Sequence, residues 1–142
     1  MIIRPYQESD IETLLVLWWD SWHSSANFRH PKPISEWRAR WQNILHSHTV
    51  VVAESSGALV GFAALDIKHA VLSQIFVAPS AKRQGIGRGL FNWALSCCPN
   101  GVSLKTLVSN TEARAFYKSL GMAERGYSTN DFSGHQEIEY AL

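Results

Sequence analysis

Cysteine is scarce in this 142-residue chain: Cys97 and Cys98 are the only two, and they are adjacent. Neighbouring cysteines suit neither a structural disulfide nor a spaced ligand set, so no metal is expected, and the pair reads as inert, one on the core side of a helix end and one near the surface. No apolar run approaches the ~20 residues of a membrane span, and MIIRPYQESD has no apolar core of the kind a secretory signal carries. The expectation is a cytoplasmic protein with no membrane partner. Charge of one sign is also scarce: 13 basic residues face 12 acidic ones, interspersed, for a formal net charge of +1. No basic excess invites nucleic acid. Internal repeats, linkers and low-complexity stretches are absent from the sequence.

What is there is 46% hydrophobic and 18% charged, the composition of a globular chain. The length suits one domain, 1–142, long enough to close one core and too short for two.

Residues 1–6 read as a short strand, and Ser9 with Glu12 reads as a capping box opening a helix whose apolar face is Ile11, Leu14, Leu15, Trp18 and Trp22. The polar stretch HSSANFRHPKP interrupts it, since Pro31 and Pro33 make continuous helix unfavourable, and Ser35 starts a second helix carrying Trp37, Trp41, Ile44 and Leu45. Strands at 49–54 and 58–66 flank the turn Ser55, Ser56, Gly57 as a hairpin, followed by a strand at 70–77. Ile86, Leu90, Trp93, Ala94 and Cys97 give the next helix its buried stripe. A strand at 102–108, a short helix marked by Ala113, Phe116, Tyr117 and Leu120 with Gly121 as its C-cap, and strands at 122–129 and 136–142 complete the chain. That order predicts a mixed α/β sheet with helices on its faces.

Between the strand ending IFVAP and the helix lies KRQGIGRG. Gly85, Gly87 and Gly89 let bare amides approach an anion, the helix start adds unpaired N–H groups and partial positive charge, and Lys82, Arg83 and Arg88 surround the spot. On physics alone this is a pyrophosphate cradle. It is neither a P-loop, which needs Gly-Lys-Ser/Thr, nor a dinucleotide fingerprint, whose spacing is G-x-G-x-x-G. It does match Q/R-x-x-G-x-G/A through Gln84, Gly87 and Gly89.

With QIFVAPSAKRQGIGRGLFNWAL and SNTEARAFYKSLGM around that motif, the second half of the chain closely resembles the acetyl-CoA-binding core of the GNAT superfamily of acyl-CoA-dependent N-acyltransferases. The resemblance implies a central, mostly antiparallel sheet with a splayed parallel strand pair and flanking helices. It implies acetyl-CoA as co-substrate, its pantetheine arm bonded to the main chain of Ile75 and Val77 and its pyrophosphate on the amides of Gln84 to Gly89, Ile86 included. Asn110, Ala113, Phe116 and Tyr117 match the family's N-x-x-A-x-x-F-Y segment, in which the asparagine helps hold the pantetheine and the phenol lies near the sulfur. A phenol is useful there because amine attack on a thioester expels a thiolate that needs a proton. The side chains of Ile75 and Val77 read as ordinary core, Tyr117 alone as a packed aromatic, and Asn110 as a helix N-cap.

A lysine-like amine, of pKa about 10.4, must lose a proton before it attacks. Many relatives carry a glutamate or an ordered water on the strand before the cradle, but this chain has Ser73 and Gln74 there. Glu54, Asp66, His69 and His135 are candidate bases, each equally readable as a surface or turn residue, and a water chain is an alternative. The aromatic first half supplies the expected acceptor pocket, with Trp19, Trp22, His23 and Phe28 as the residues placed to face a small-molecule amine that has an apolar or planar portion. The alternatives are a protein amine, an aminoacyl-tRNA amine or a non-catalytic acyl-CoA sensor. By analogy with the family, a homodimer is a further expectation, through an exposed tryptophan or an edge strand.

Overall fold

The computed structural model describes residues 1–26 and 32–142. Its elements follow the expected order: β1 (Ile2–Pro5), α1 (Ile11–Ala26), α2 (Ile34–Ser47), β2 (Thr49–Ser55), β3 (Ala58–Asp66), β4 (Val71–Val77), α3 (Ile86–Cys97), β5 (Ser103–Leu107), α4 (Thr111–Ser119), β6 (Ala123–Thr129) and β7 (Gln136–Ala141). The strands form one sheet in the order β1-β2-β3-β4-β5-β7-β6, antiparallel throughout except for β4 beside β5.

Strand alternation builds two cores. On β2, Val50 and Val52 join Trp18, Trp37 and Trp41 under α1 and α2, whereas Val51 and Ala53 join Leu90, Phe91 and Tyr117 under α3 and α4. Trp37 and Trp41, one helical turn apart on α2, are fully buried, and Trp18 meets them edge-on at centroid distances of 4.7 and 5.9 Å. All six tryptophans are buried or half-buried, which removes the exposed tryptophan suggested for a dimer interface and leaves β1 and β6 as the sheet's edges. Cys98 is buried and Cys97 half-buried, both as free thiols. Among the described residues no helix is long and apolar enough to cross a membrane.

The start of α1 differs from the expected Ser9–Glu12 box. Residues Glu8–Asp10 form a single 3-10 turn, in which the Gln7 N–H donates to Asp10 Oδ2 at 2.8 Å and the Asp10 N–H donates to the Gln7 carbonyl at 2.8 Å. Asp10 wins because its carboxylate is also gripped by the Arg4 guanidinium at 2.8 and 2.9 Å, an anchor a serine hydroxyl cannot match. Arg4 reaches Glu54 as well, tying β1 to β2. The Arg4 hydrogen bond holds Asp10 below the usual carboxylate range. A group with a depressed folded-state value contributes stability above its unfolded value of about 3.9 and loses that contribution as pH falls through the folded value. Asp10→Asn is therefore expected to destabilise the fold by about 1–3 kcal/mol at pH 7, with the difference from wild type shrinking below pH 4 in urea titrations.

The feature that positions the site is the join between β4 and β5. Their one registered pair is Val71 opposite Ser103, and beyond it the strands part. On its other edge β4 carries a bulge: the register passes from Ala64 opposite Gln74 to Leu65 opposite Leu72, so Ser73 has no partner on β3.

Candidate active site

A cleft of about 570 Å³ passes through this parting, lined by α1 and α2 residues from one face of the sheet and by α3 and α4 residues from the other. At one end lies the glycine turn. Gly85 is the N-cap of α3 at φ +80°, and Arg83, at φ +66°, holds a left-handed backbone that is strained for a residue with a Cβ. Capping geometry leaves the first four amides of the helix, Gly85 to Arg88, without intrahelical partners. The fifth, that of Gly89, donates to the Gly85 carbonyl at 3.0 Å and is spent.

The glycines consequently have separate jobs. A Cβ on Gly87 would lie 3.3 Å from the Phe116 ring, beside the cleft, whereas a Cβ on Gly89 would lie 2.8 Å from Met1 Cε, packing α3 on β1. Gly89 and Gln84 do not line the cleft, so the cradle is shorter than the Gln84–Gly89 span read from the sequence. Lys82, Arg83, Ile86 and Arg88 line it with Gly85 and Gly87, and Lys82 is drawn to Glu112 at 3.1 Å. Free amides, a bare Cα and three cations are a donor set suited to a diphosphate.

From the cradle the cleft follows β4 past Val77 and Ile75. The Val77 carbonyl already accepts from Ser21 Oγ at 3.0 Å, so one of its two lone pairs is taken before any ligand arrives. Across the gap Asn110 caps α4, its Oδ1 accepting from the Ala113 N–H at 3.1 Å. Its Nδ2 has no protein partner among the described residues. Tyr117 lines the cleft with its ring against Phe116 and Tyr140, at centroid distances of 5.6 and 5.8 Å, and burial pushes its phenol well above the ordinary value. No protein group among the described residues hydrogen-bonds the hydroxyl. A protonated, unengaged phenol is suited to donating a proton.

The far end is aromatic, as expected, but with a different membership. Trp18 and Trp22, one turn apart, face the cleft with Ser21 between them. Trp19 and His23, the equivalent pair on the next face of α1, pack on each other at 4.2 Å and beside Trp37 and do not line it. The 100° step between successive helix residues separates the two faces. Phe28 lies outside the described residues.

Sequence reasoning missed Arg40, Asn130, Phe132 and Glu137, all of which line this end. The Arg40 guanidinium stands 4.9 Å from the centre of the Phe132 ring, half-buried, and burial pulls its pKa below the ordinary value without threatening its charge. Asn130 Nδ2 donates to Glu137 Oε2 at 2.9 Å. No local pattern marks these four, which come from α2, from β7 and from the loop before β7.

Of the candidate bases, none lines the cleft. Glu54 is held by Arg4, and Asp66 is bound to His69 at 2.7 Å, a contact that holds Asp66 below its usual range. His135 packs near Trp22. Among the described residues no group of three His, Cys, Asp or Glu side chains is placed to hold a metal ion.

A sequence model of the acetyltransferase (GNAT) family matches residues 11–122. The chain is 29% identical over 137 residues to the peptidyl-lysine N-acetyltransferase YjaB of Salmonella typhimurium, covering 93% of this chain and 90% of that protein. Its fold superposes on the solution structure of apo YjaB from Escherichia coli with a TM-score of 0.82 at 25% identity, over 99% and 97% of the two chains. The PaiA N-acetyltransferase of Thermoplasma acidophilum, solved with coenzyme A, shares the fold with a TM-score of 0.74 at 20% identity, over 97% and 96%.

Proposed function

The chain belongs to the acetyltransferase (GNAT) family, and from that premise we propose that it transfers an acetyl group from acetyl-CoA to the primary amine of a small molecule by direct attack within a ternary complex. The observation that carries this reading is the single cleft joining an anion cradle, through parted strands, to a buried phenol and on to an aromatic chamber. The amides of Gly85 to Arg88 hold the pyrophosphate, the main chains of Ile75 and Val77 with Asn110 hold the pantetheine, and Tyr117 protonates the departing thiolate. Acetyl-CoA supplies the activated acyl group.

The acceptor chamber favours an amine that also bears a carboxylate and an apolar portion. Arg40 is a fixed cation that repels polyamines and attracts a carboxylate, Glu137 suits the ammonium, and Trp22, Trp37 and Phe132 surround the rest. Release of free CoA thiol across free amino acids, their amides, polyamines and lysine peptides is the test. The free acids are expected to lead their amides by about tenfold or more in kcat/KM, the scale of one charge-assisted hydrogen bond, and Arg40→Gln to erase that lead. A protein lysine acceptor is the second reading, favoured by the likeness to a peptidyl-lysine enzyme. Turnover of lysine peptides with none of free amines would establish it instead.

A further inference from the structure

The acceptor amine must lose a proton; of the two carboxylates that line the cleft, Glu112 is paired with Lys82 beside the cradle, and Glu137, which accepts one bond from Asn130, is the group suited to hold the ammonium at the aromatic end. The bulged residue Ser73 also lines the cleft. An arm laid along β4 from the cradle covers about 13 Å between Val77 and Ser73 at roughly 3.3 Å per strand residue, which brings its reactive end to the bulge. Ser73 Oγ lies 2.8 Å from His48 Nε2, and His48 Nδ1 lies 2.8 Å from Ser47 Oγ. His48 itself does not line the cleft, and Ser47 is exposed. The chain Ser73–His48–Ser47 therefore runs from the cleft to solvent.

We propose that Ser73 and His48 are the proton exit for the acceptor amine, a reading that rests on the acetyl-transfer function above. In the resting state the proton sits on Nδ1 and is donated to Ser47, leaving Nε2 to accept from the Ser73 hydroxyl. The bound ammonium gives one proton to Ser73 Oγ while the hydroxyl's own proton moves to Nε2, forming imidazolium and a neutral amine. The amine nitrogen then bonds to the thioester carbonyl carbon and the C–S bond breaks. The sulfur takes the Tyr117 proton, the new amide nitrogen returns one to Tyr117, and the imidazolium discharges through Nδ1 and Ser47 to water. One proton leaves per turnover, as the conversion of an ammonium and a thioester to an amide and a thiol requires.

The surroundings suit an imidazole that cycles its charge. His48 caps α2, its N–H donating to the Ile44 carbonyl at 2.9 Å, so the negative end of the helix dipole faces the ring. From β3, Asp66 is within electrostatic reach, already bonded to His69 of the following turn; from β4 comes Ser73, and from α2 Ser47 with His46 in the last turn. The ring thus faces one carboxylate, one helix end and two hydroxyls.

The experiment compares an alkylamine with an arylamine acceptor, reading CoA thiol release between pH 6 and pH 10 in wild type, His48→Gln, Ser73→Ala and Ser73→Thr. The alkylamine is protonated at neutral pH and the arylamine is not. His48→Gln and Ser73→Ala are expected to lower alkylamine kcat/KM about 10²-fold at pH 7, with recovery as pH approaches the amine's own value of about 10.4. Arylamine turnover and acetyl-CoA affinity stay within about twofold, as the chemistry after proton loss is untouched. Ser73→Thr, which keeps the hydroxyl, retains activity. Loss that is equal for both amines at every pH, or no loss, overturns the proposal and leaves His48 as a structural cap. Absence of wild-type turnover with any amine overturns the acetyl-transfer reading instead.

Discussion

Gly87→Glu is expected to weaken acetyl-CoA binding by more than a hundredfold while the protein stays folded. The Gly87 amide is one of the four left free at the start of α3, and its Cα faces the cleft with the Phe116 ring 3.3 Å and Val77 Cγ2 3.7 Å from where a Cβ would be. A carboxylate there enters the volume in which phosphate oxygens would sit. Two like charges about 4 Å apart repel by about 4 kcal/mol at the effective dielectric of a protein surface, more than enough for the expected loss. The folded state gains roughly 0.5–1 kcal/mol from replacing a helical glycine, and an acid in the first turn suits the helix dipole; both offset the few tenths of an ångström that Phe116 must yield. Calorimetric titration with acetyl-CoA beside a thermal melt separates the two effects. Undiminished affinity would sink the cradle, and an equally large loss in Gly89→Ala with an intact melt would show that its inner limit is misplaced.

Tyr117→Phe is expected to lower kcat about 10²-fold with little change in acetyl-CoA affinity or stability. The hydroxyl has no protein partner among the described residues, so removing it strands no buried donor, and the ring that packs on Phe116 and Tyr140 is retained. Since burial pushes the phenol up, the acid stays protonated across the working range, and the wild-type kcat profile should show no alkaline limb from it below about pH 10, the ordinary phenol value. A variant with normal kcat, or one whose only defect is weaker binding, would return Tyr117 to a packing role.

These two residues were legible in the sequence because their signals are short. Gly85 to Gly89 declare an exposed helix start within five residues, and Asn110 to Tyr117 declare a capped helix with one aromatic face. The same locality misled elsewhere. Trp19 and His23 sit where an aromatic chamber was expected, but a single 100° step turns them onto the face that packs against Trp37. Gly89 looks like its neighbours in sequence, yet its amide closes the first helical bond and its missing Cβ makes room for Met1.

By itself the sequence determined the element order, the glycine-rich helix start and the capped helix that carries Tyr117, since periodicity, capping and glycine freedom act over a turn or two of chain. Tertiary structure alone decided who meets whom across the parted strands. The bulge that leaves Ser73 unpaired exists only in its register with β3, the His48 contact joins residues 25 apart, and Arg40 reaches Phe132 from a distant helix. Such meetings follow from sheet order and from the packing of α1 and α2 on one face, and neither leaves a periodic mark in the chain.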